Sequence, residues 1–283
     1  MDGRVRENRD LGHGYYRVAI ETEGLRPVFR PGQFFMLRVL NGSDPLLPRA
    51  YSIYRMARGR RGRRARVDLL YKVVGRGTAQ LAAQRPGAAL DLLGPLGNAF
   101  WVPPGTAELL LVAGGIGVPP VIALAEAVAA RGCGARGRPS QRPAMVAFLG
   151  GRSKADILCA SDFRRAGARL HVATEDGSAG RRGLVTDLLE GHLAGQPPRG
   201  RPRASGAIYA CGPPGMLQRV AEVAGAHGIP CQVSMEAPMG CGIGICMGCA
   251  VPVRWREADG TPGVRYRLCC KDGPIFEGSE VLW

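Results

Sequence analysis

The sequence predicts a multidomain β plus α/β protein: an antiparallel β-barrel over residues 1–103, a parallel-sheet α/β domain over 104–230 and a small cysteine-rich domain over 231–283. Three textures carry that reading. From about Gly14 to Leu93, short β-prone runs are separated by turn residues, as in an antiparallel barrel or sandwich. From Ala107, buried-strand runs alternate with helical stretches, as in a parallel sheet. After Pro230 hydrophobic periodicity fades, and Gly and Cys take over. A chain of 283 residues also exceeds what one small core usually holds.

Barrel strands are expected at YYRVAIE, QFFMLRVL, AYSIYRM, VDLLYKVV and ALDLLG. The second domain opens with the strand ELLLVA, the turn Gly114-Gly115-Ile116-Gly117 and the helix VIALAEAVAA. Strands MVAFLG, RLHVATE and AIYACG follow, with a helix at GMLQRVAEVAGAH. The tail is too short and too poor in apolar residues to hold on its own core, so it needs a staple, which cysteines can supply. There are no internal repeats.

Hydrophobic residues make up 46% and charged residues 22%, the balance of a globular rather than a disordered chain. No run of 18 apolar residues is present, and MDGRVRENRDLGHG lacks the apolar centre of a signal peptide, so no membrane span and a cytoplasmic location are expected. The net charge of +15 is concentrated in Gly/Pro-punctuated stretches at 58–66, 131–142 and 197–203. None of these interleaves arginine with the aromatics of a base-stacking platform. They read first as a solubilising surface, second as a docking surface for an acidic partner, and not as a nucleic-acid site.

Of nine cysteines, Cys241, Cys246, Cys249 and Cys270 crowd into the tail with Cys269 alongside. The spacing C-x4-C-x2-C…C is that of plant-type [2Fe–2S] ferredoxins. Two sulfide-bridged irons need four thiolates, and glycines at 240, 242, 244 and 248 let the loop turn sharply and aim N–H groups at sulfur. The competing reading is a four-cysteine zinc site, which usually takes its thiolates as short pairs. Cys269 and Cys270 are adjacent; Cys270 is the expected fourth ligand because it directly precedes the turn-forming Lys271-Asp272-Gly273-Pro274. Cys133, Cys159 and Cys231 read as ordinary small apolar side chains.

Gly114, Gly115 and Gly117 follow a strand and precede a helix, where they permit positive φ and close approach of a pyrophosphate. A second turn, Cys211-Gly212-Pro213, ends a later strand of the same sheet. Ligands of open parallel sheets bind outside the carboxyl ends of the strands, so two such turns point to a dinucleotide. Cys211 reads either as a nicotinamide neighbour or as a small buried strand end. Arg152-Ser153-Lys154 offers cations for a 2′-phosphate and Glu175-Asp176 acceptors for a ribose hydroxyl, so NAD and NADP both stay open. In the barrel, Arg49-Ala50-Tyr51-Ser52 offers a guanidinium fork for a pyrophosphate and a Tyr and Ser for an isoalloxazine ring. Gly75-Arg76-Gly77-Thr78 would make a second phosphate turn.

The order R-x-Y-S, G-x-G-T, Gly-Pro-Leu-Gly, GGIG, CGP resembles the ferredoxin–NADP reductase superfamily. More specifically, Asp44-Pro45-Leu46-Leu47, LYKVVGRGT, GPLGNAF, AGGIGVPPV, TEDGSAGRRGLVTD, YACGPPGML, SMEAPMGCGIGICMGC and CKDGPIF resemble the electron-transfer subunits of NAD-linked dihydroorotate dehydrogenase, nearly end to end. The resemblance implies an FAD-binding barrel holding FAD through Arg49, Ala50, Tyr51, Ser52, Leu70, Tyr71, Lys72, Gly77 and Thr78. It further implies an NAD-binding domain and a [2Fe–2S] domain ligated by Cys241, Cys246, Cys249 and Cys270. One departure stands out: the family usually has Arg-Pro-x-Ser where this chain has Arg-Ala-Tyr-Ser. The resemblance also implies an FMN-containing dihydroorotate dehydrogenase catalytic subunit as partner in a heterotetramer, serving pyrimidine biosynthesis, with NADH diaphorase activity for this chain alone. No acid–base residue for dihydroorotate chemistry is found here. The rival readings are a flavin subunit of a ferredoxin-, sulfide- or hydrogenase-linked NAD(P) reductase, and a zinc-stapled basic nucleic-acid binder.

Overall fold

Six strands of the chain close into an antiparallel barrel. In the computed structural model, the structure describes all residues except 27, 41–44, 59–63, 132–141, 196–205 and 258. Much of the three arginine-rich stretches, together with Asp44 and Cys133, therefore lies outside the described residues. Contacts divide the chain into two compact units. The first comprises Met1–Ala99, Glu236–Val251 and Tyr266–Pro274; the second comprises Phe100–Met235, Pro252–Arg265 and Ile275–Trp283.

In the first unit the barrel strands are β1 (Asp2–Gly12), β2 (Tyr15–Glu23), β3 (Phe34–Val39), β4 (Arg49–Arg58), β5 (Arg64–Lys72) and β6 (Ala89–Leu96). They follow the order β1-β2-β5-β4-β3-β6, and β6 pairs back with β1. Inward alternation builds one core from Val18, Ile20, Phe35, Ile53, Leu69 and Leu92. β1 precedes the barrel strands expected from about Gly14. The charged run DGRVRENRDLG shows no clean alternation, because a register shift between Val5 and Glu7 breaks its period. A short helix, α1 (Arg76–Ala82), joins β5 to β6.

The second unit is built on β7 (Glu108–Gly114), α2 (Val118–Arg131), β8 (Ala144–Gly151), α3 (Ala160–Arg165), β9 (Arg169–Thr174), β10 (Arg181–Arg182), α4 (Val185–Ala194), β11 (Gly206–Cys211) and α5 (Pro214–His227). Its tail adds β12 (Cys231–Ser234) and, after a two-stranded hairpin of β13 (Ala250–Arg256) and β14 (Pro262–Leu268), β15 (Ile275–Glu277). The sheet runs β10-β9-β8-β7-β11-β12-β15 and is parallel up to β12; β15 pairs antiparallel at its edge. The residues after Pro230, expected to carry little periodic structure, thus supply two sheet strands. β12 escapes a pattern search because it is four residues long, all buried, and half of them polar. The Gln232 amide accounts for one of these polar groups: Oε1 accepts from the Trp101 N–H at 2.9 Å and Nε2 donates to the Trp101 carbonyl at 2.9 Å. No described helix is long and apolar enough to cross a membrane.

Candidate cofactor sites

In the second unit, the chain leaves β7 for β8 on one side, and β11 lies on the other side of β7. This reversal of strand order is the switch point at which open α/β sheets bind ligands. Both glycine turns sit there, since Ala113 is in register with Cys211. The turns touch. A Cβ on Gly117 would stand 2.5 Å from the Cys211 carbonyl oxygen and 2.7 Å from the Gly212 nitrogen. One on Gly114 would stand 2.7 Å from Met216 Sδ and 2.9 Å from Pro213 Cδ. Of the three glycines, which permit positive φ, only Gly115 uses it, at 52°. Gly114 and Gly117 are needed because the second turn packs directly on them. Cys211 is buried at the end of β11, a position that suits either of its two readings.

The loops after β8 and β9 are tied together by their own polar groups. Asp156 Oδ2 accepts from the Arg152 and Ser153 N–H groups at 3.1 and 3.2 Å, and the Lys154 N–H donates to Ser178 Oγ at 2.7 Å. Asp176 accepts from the Ser178 hydroxyl at 2.6 Å and from its N–H at 2.9 Å. These bonds hold its carboxyl below the usual range, the hydroxyl first.

In the first unit, strand alternation separates the R-x-Y-S residues. Tyr51 turns inward, 7% exposed, and Arg49 and Tyr51 line one small pocket with Pro45, Leu47, Gly77 and Gln80. Ala50 and Ser52, one residue out of phase, fall on the opposite face. Pro45 belongs to the Asp44-Pro45-Leu46-Leu47 segment quoted for the resemblance, whereas Gln80 carries no local signal in the sequence. The Arg49 guanidinium bonds the Leu47 carbonyl and lies over Gly77, whose absent Cβ would be 3.2 Å from Arg49 Nε. A side chain at 77 would therefore displace the cation. Burial pushes the Tyr51 phenol up to about 12, against the pull of Arg49. Tyr71 meets Tyr51 edge-on at 5.9 Å and stacks on Tyr16 at 5.5 Å. Leu70 is buried beside it, and Lys72 Nζ donates to the Tyr15 hydroxyl at 3.0 Å. Gly75-Arg76-Gly77-Thr78, expected as a phosphate turn, is the start of α1. There Thr78 Oγ1 accepts from the Val74 and Gly75 N–H groups at 2.9 and 3.2 Å and donates to the Gly75 carbonyl at 2.9 Å.

The cysteine loop lies in the same unit. Cys241 Sγ accepts N–H bonds from Cys246, Ile245 and Ile243 at 3.4, 3.4 and 3.5 Å. These donors, Cys246 first, pull its thiol down to about 6, so the loop is built to hold a thiolate. Gly242 and Gly244 take positive φ in this loop, at 76° and 84°. Cys249 and Cys270 are buried; the Cys270 N–H reaches Cys249 Sγ at 3.4 Å, and the two thiols also bond each other. Burial, then Cys249, pushes the Cys270 thiol up to about 12, and Cys241 is close enough to add to the shift. Cys246 is exposed, flanked by Gly240 and Gly248. Cys269 is fully buried, and its thiol receives the Ala237 N–H and feels the Glu236 charge. Among the described residues no three Cys, His, Asp or Glu side chains converge on one ion position.

Two families match this chain. One, described as the iron-sulfur cluster binding domain of dihydroorotate dehydrogenase B, covers residues 236–282, and the other, an oxidoreductase NAD-binding domain, covers 111–222. The chain is 33% identical over 268 residues to the electron transfer subunit of dihydroorotate dehydrogenase B (NAD(+)) from Desulforamulus reducens, covering 95% of this chain and 92% of that one. Against the protein of the same description from Geobacillus kaustophilus the identity is 34% over 280 residues, covering 98% and 96%. Among solved structures, an NADH-dependent reduced ferredoxin-NADP oxidoreductase superposes with a TM-score of 0.78 at 27% identity, covering 99% of this chain and 90% of the other. A ferredoxin NADP+ reductase from Neisseria gonorrhoeae shares the fold, with a TM-score of 0.60 at 18% identity, over 81% and 91% of the two chains.

Proposed function

The chain belongs to the family of electron-transfer subunits of NAD-linked dihydroorotate dehydrogenase B, and from that premise we propose that it links a catalytic partner subunit to NAD in pyrimidine biosynthesis. The observation that carries the proposal is the cysteine loop, which aims three N–H donors at Cys241 Sγ and sets Cys270 against Cys249. It lies in the same unit as the pocket lined by Arg49, Tyr51 and Gly77.

Cys241, Cys246, Cys249 and Cys270 hold a [2Fe–2S] cluster. Arg49, Ala50, Tyr51, Ser52, Leu70, Tyr71, Lys72, Gly77 and Thr78 hold FAD. Gly114, Gly115, Gly117, Cys211, Gly212 and Pro213 hold NAD. When bound, the cluster supplies one-electron transfer, FAD the exchange between single electrons and pairs, and the nicotinamide a hydride acceptor. The chain's own residues do the rest. Arg49, lying over the bare backbone of Gly77, offers a charge-assisted fork to a pyrophosphate. Tyr51 lines the pocket and Tyr71 backs it edge-on, and burial raises both phenols above their ordinary range. The N–H groups of 243, 245 and 246 aim at sulfur and tune its potential. The division into an FAD barrel (1–103), an NAD domain (104–230) and a cluster domain (231–283), the FMN in the partner, the heterotetramer and the cytoplasmic location belong to the same proposal.

The test is division of labour. The chain alone oxidises NADH with an artificial acceptor and does not oxidise dihydroorotate. Adding the FMN-bearing catalytic subunit creates dihydroorotate-dependent NAD reduction. Loss of the cluster abolishes that coupled activity and spares the diaphorase. Coupled turnover that survives loss of the cluster would overturn the proposal. A preference for NADPH with no response to the partner would assign the chain to the ferredoxin-linked reductases instead.

A further inference from the structure

Asn8 stands on β1, the strand without a hydrophobic pattern. The register shift between Val5 and Glu7 places one extra residue in β1, so Asn8 pairs with Val18, a fully buried residue, and shares its inward face. There the carboxamide spans two elements. Nδ2 donates to the carbonyls of Leu81, Ala82 and Gln84 at 2.7, 3.2 and 3.2 Å. Oδ1 accepts from the Tyr71 hydroxyl at 3.0 Å. Carbonyls only accept, so the orientation of the amide is fixed by its neighbours. Two of the three carbonyls belong to the last turn of α1 and the third lies just past it; the Leu81 carbonyl also accepts the Gln84 N–H at 3.0 Å.

The segment between these contacts carries Lys72, Gly77 and Thr78. Its front is locked by Thr78 Oγ1 on the backbone of Val74 and Gly75. Its back is locked by Asn8 alone among the described side chains of β1, and the same amide fixes the rotation of the Tyr71 phenol. We propose that Asn8 is a positioning residue for flavin binding. It sets the distance between the Tyr71 ring and the α1 turn, and so holds the Tyr51–Tyr71 wall and the Gly77–Thr78 backbone in one geometry. This rests on the reading that Arg49, Tyr51, Tyr71, Gly77 and Thr78 hold FAD.

A residue with only a structural role would change melting and leave the flavin affinity of the folded protein untouched. The deciding experiment strips FAD from the wild type, Asn8→Asp, Asn8→Leu, Tyr71→Phe and the double variant Asn8→Asp/Tyr71→Phe. Each is titrated with FAD at a temperature where far-ultraviolet circular dichroism reports it folded, and the visible dichroism of the bound flavin is recorded. Asn8→Asp keeps an acceptor for Tyr71 but turns a carboxylate on the three carbonyls. It should weaken FAD binding about tenfold and change the flavin dichroism. Tyr71→Phe should cost less, about threefold, and the double variant should fall short of the product of the two, because the pair shares one network. Should Asn8→Leu not fold, the Asp variant and the Tyr71 pair decide. A wild type that binds no FAD would refute the flavin reading itself. A wild type that binds FAD, with Asn8 variants of unchanged affinity and dichroism and only lower melting, would overturn the positioning role.

Discussion

Gly117→Ala adds one methyl group where the structure has no space for it. The new carbon would lie 2.5 Å from the Cys211 carbonyl oxygen, 2.6 Å from its carbon and 2.7 Å from the Gly212 nitrogen, whereas ordinary contacts run 3.4–4 Å. The overlap is close to an ångström, and all three atoms are backbone. No side chain can rotate away, so one of the two turns at the switch point must move. Overpacking of this kind costs about 1–3 kcal/mol, and the rigid neighbours place this case near the upper end. At roughly 2–4 °C per kcal/mol, the second unit should melt about 4–10 °C lower. Because the displaced atoms belong to the proposed nicotinamide turn, NADH binding should weaken with it. Gly212→Ala provides a milder contrast, since its methyl would first meet the movable end of Met216, with Cε at 2.6 Å. Gly191→Ala and Gly225→Ala, in α4 and α5 with nothing within 4 Å, should stabilise by up to about 1 kcal/mol through helix propensity. Calorimetry of the two-unit chain and NADH titration read all four variants. Gly117→Ala with unchanged melting and unchanged NADH affinity would refute the claim that these glycines are set by contact between the turns.

Further outcomes follow from the other sites. The purified protein should carry about two irons and two acid-labile sulfides per chain; Cys270→Ser should lose most of that iron and Cys269→Ser should keep it, with the reverse result exchanging their roles. Arg49→Ala should weaken FAD retention by on the order of 2 kcal/mol, while Arg64→Ala, which only unpairs Glu21 and Glu23, should leave flavin content unchanged. His171 stacks on Phe148 with its Nε2 shielded and unbonded, and burial, then Arg169 and His192, holds its pKa below the ordinary 6.5. The unfolded chain therefore takes up the proton first, so this residue makes the second unit lose stability as pH falls through about 6.5. His171→Phe should flatten that loss in melts run between pH 5 and 8, and an unaltered slope would place the titration elsewhere.

The elements legible in the sequence are those whose hydrophobic period survives intact. β2 to β5 are runs rich in aliphatic and aromatic residues between turn residues, and β7, β8 and β11 are continuous buried runs, so pattern alone recovers them. β1 was lost because its shift breaks the alternation at the residue before Glu7. α1 was read as a turn because Gly75-Arg76-Gly77-Thr78 looks like loop chemistry; its helical character comes from Thr78 closing on the backbone of Val74 and Gly75. β12 and β15 take their place from the sheet edge they complete, not from any period of their own.

The sites divide along the same physical line. Groups that must meet a ligand from one loop are close in sequence, as in C-x4-C-x2-C, where the proposed ligands Cys241 and Cys246 flank the donor nitrogens of 243 and 245. Their spacing is therefore a local signal. Groups that hold such a loop in place come from wherever the fold brings them, and their spacing means nothing before folding. Asn8 is 63 residues from Tyr71 and 73 from Leu81, and Gln232 is 131 from Trp101. The glycines of the proposed nicotinamide turn fall between these cases. Their identity is visible in the sequence. The reason for it differs between Gly115, which needs a positive φ, and Gly117, which needs room for Cys211, and that distinction exists only once β7 and β11 lie side by side. A glycine motif read from sequence alone thus reports that a side chain is forbidden, while the neighbour that forbids it is a property of topology.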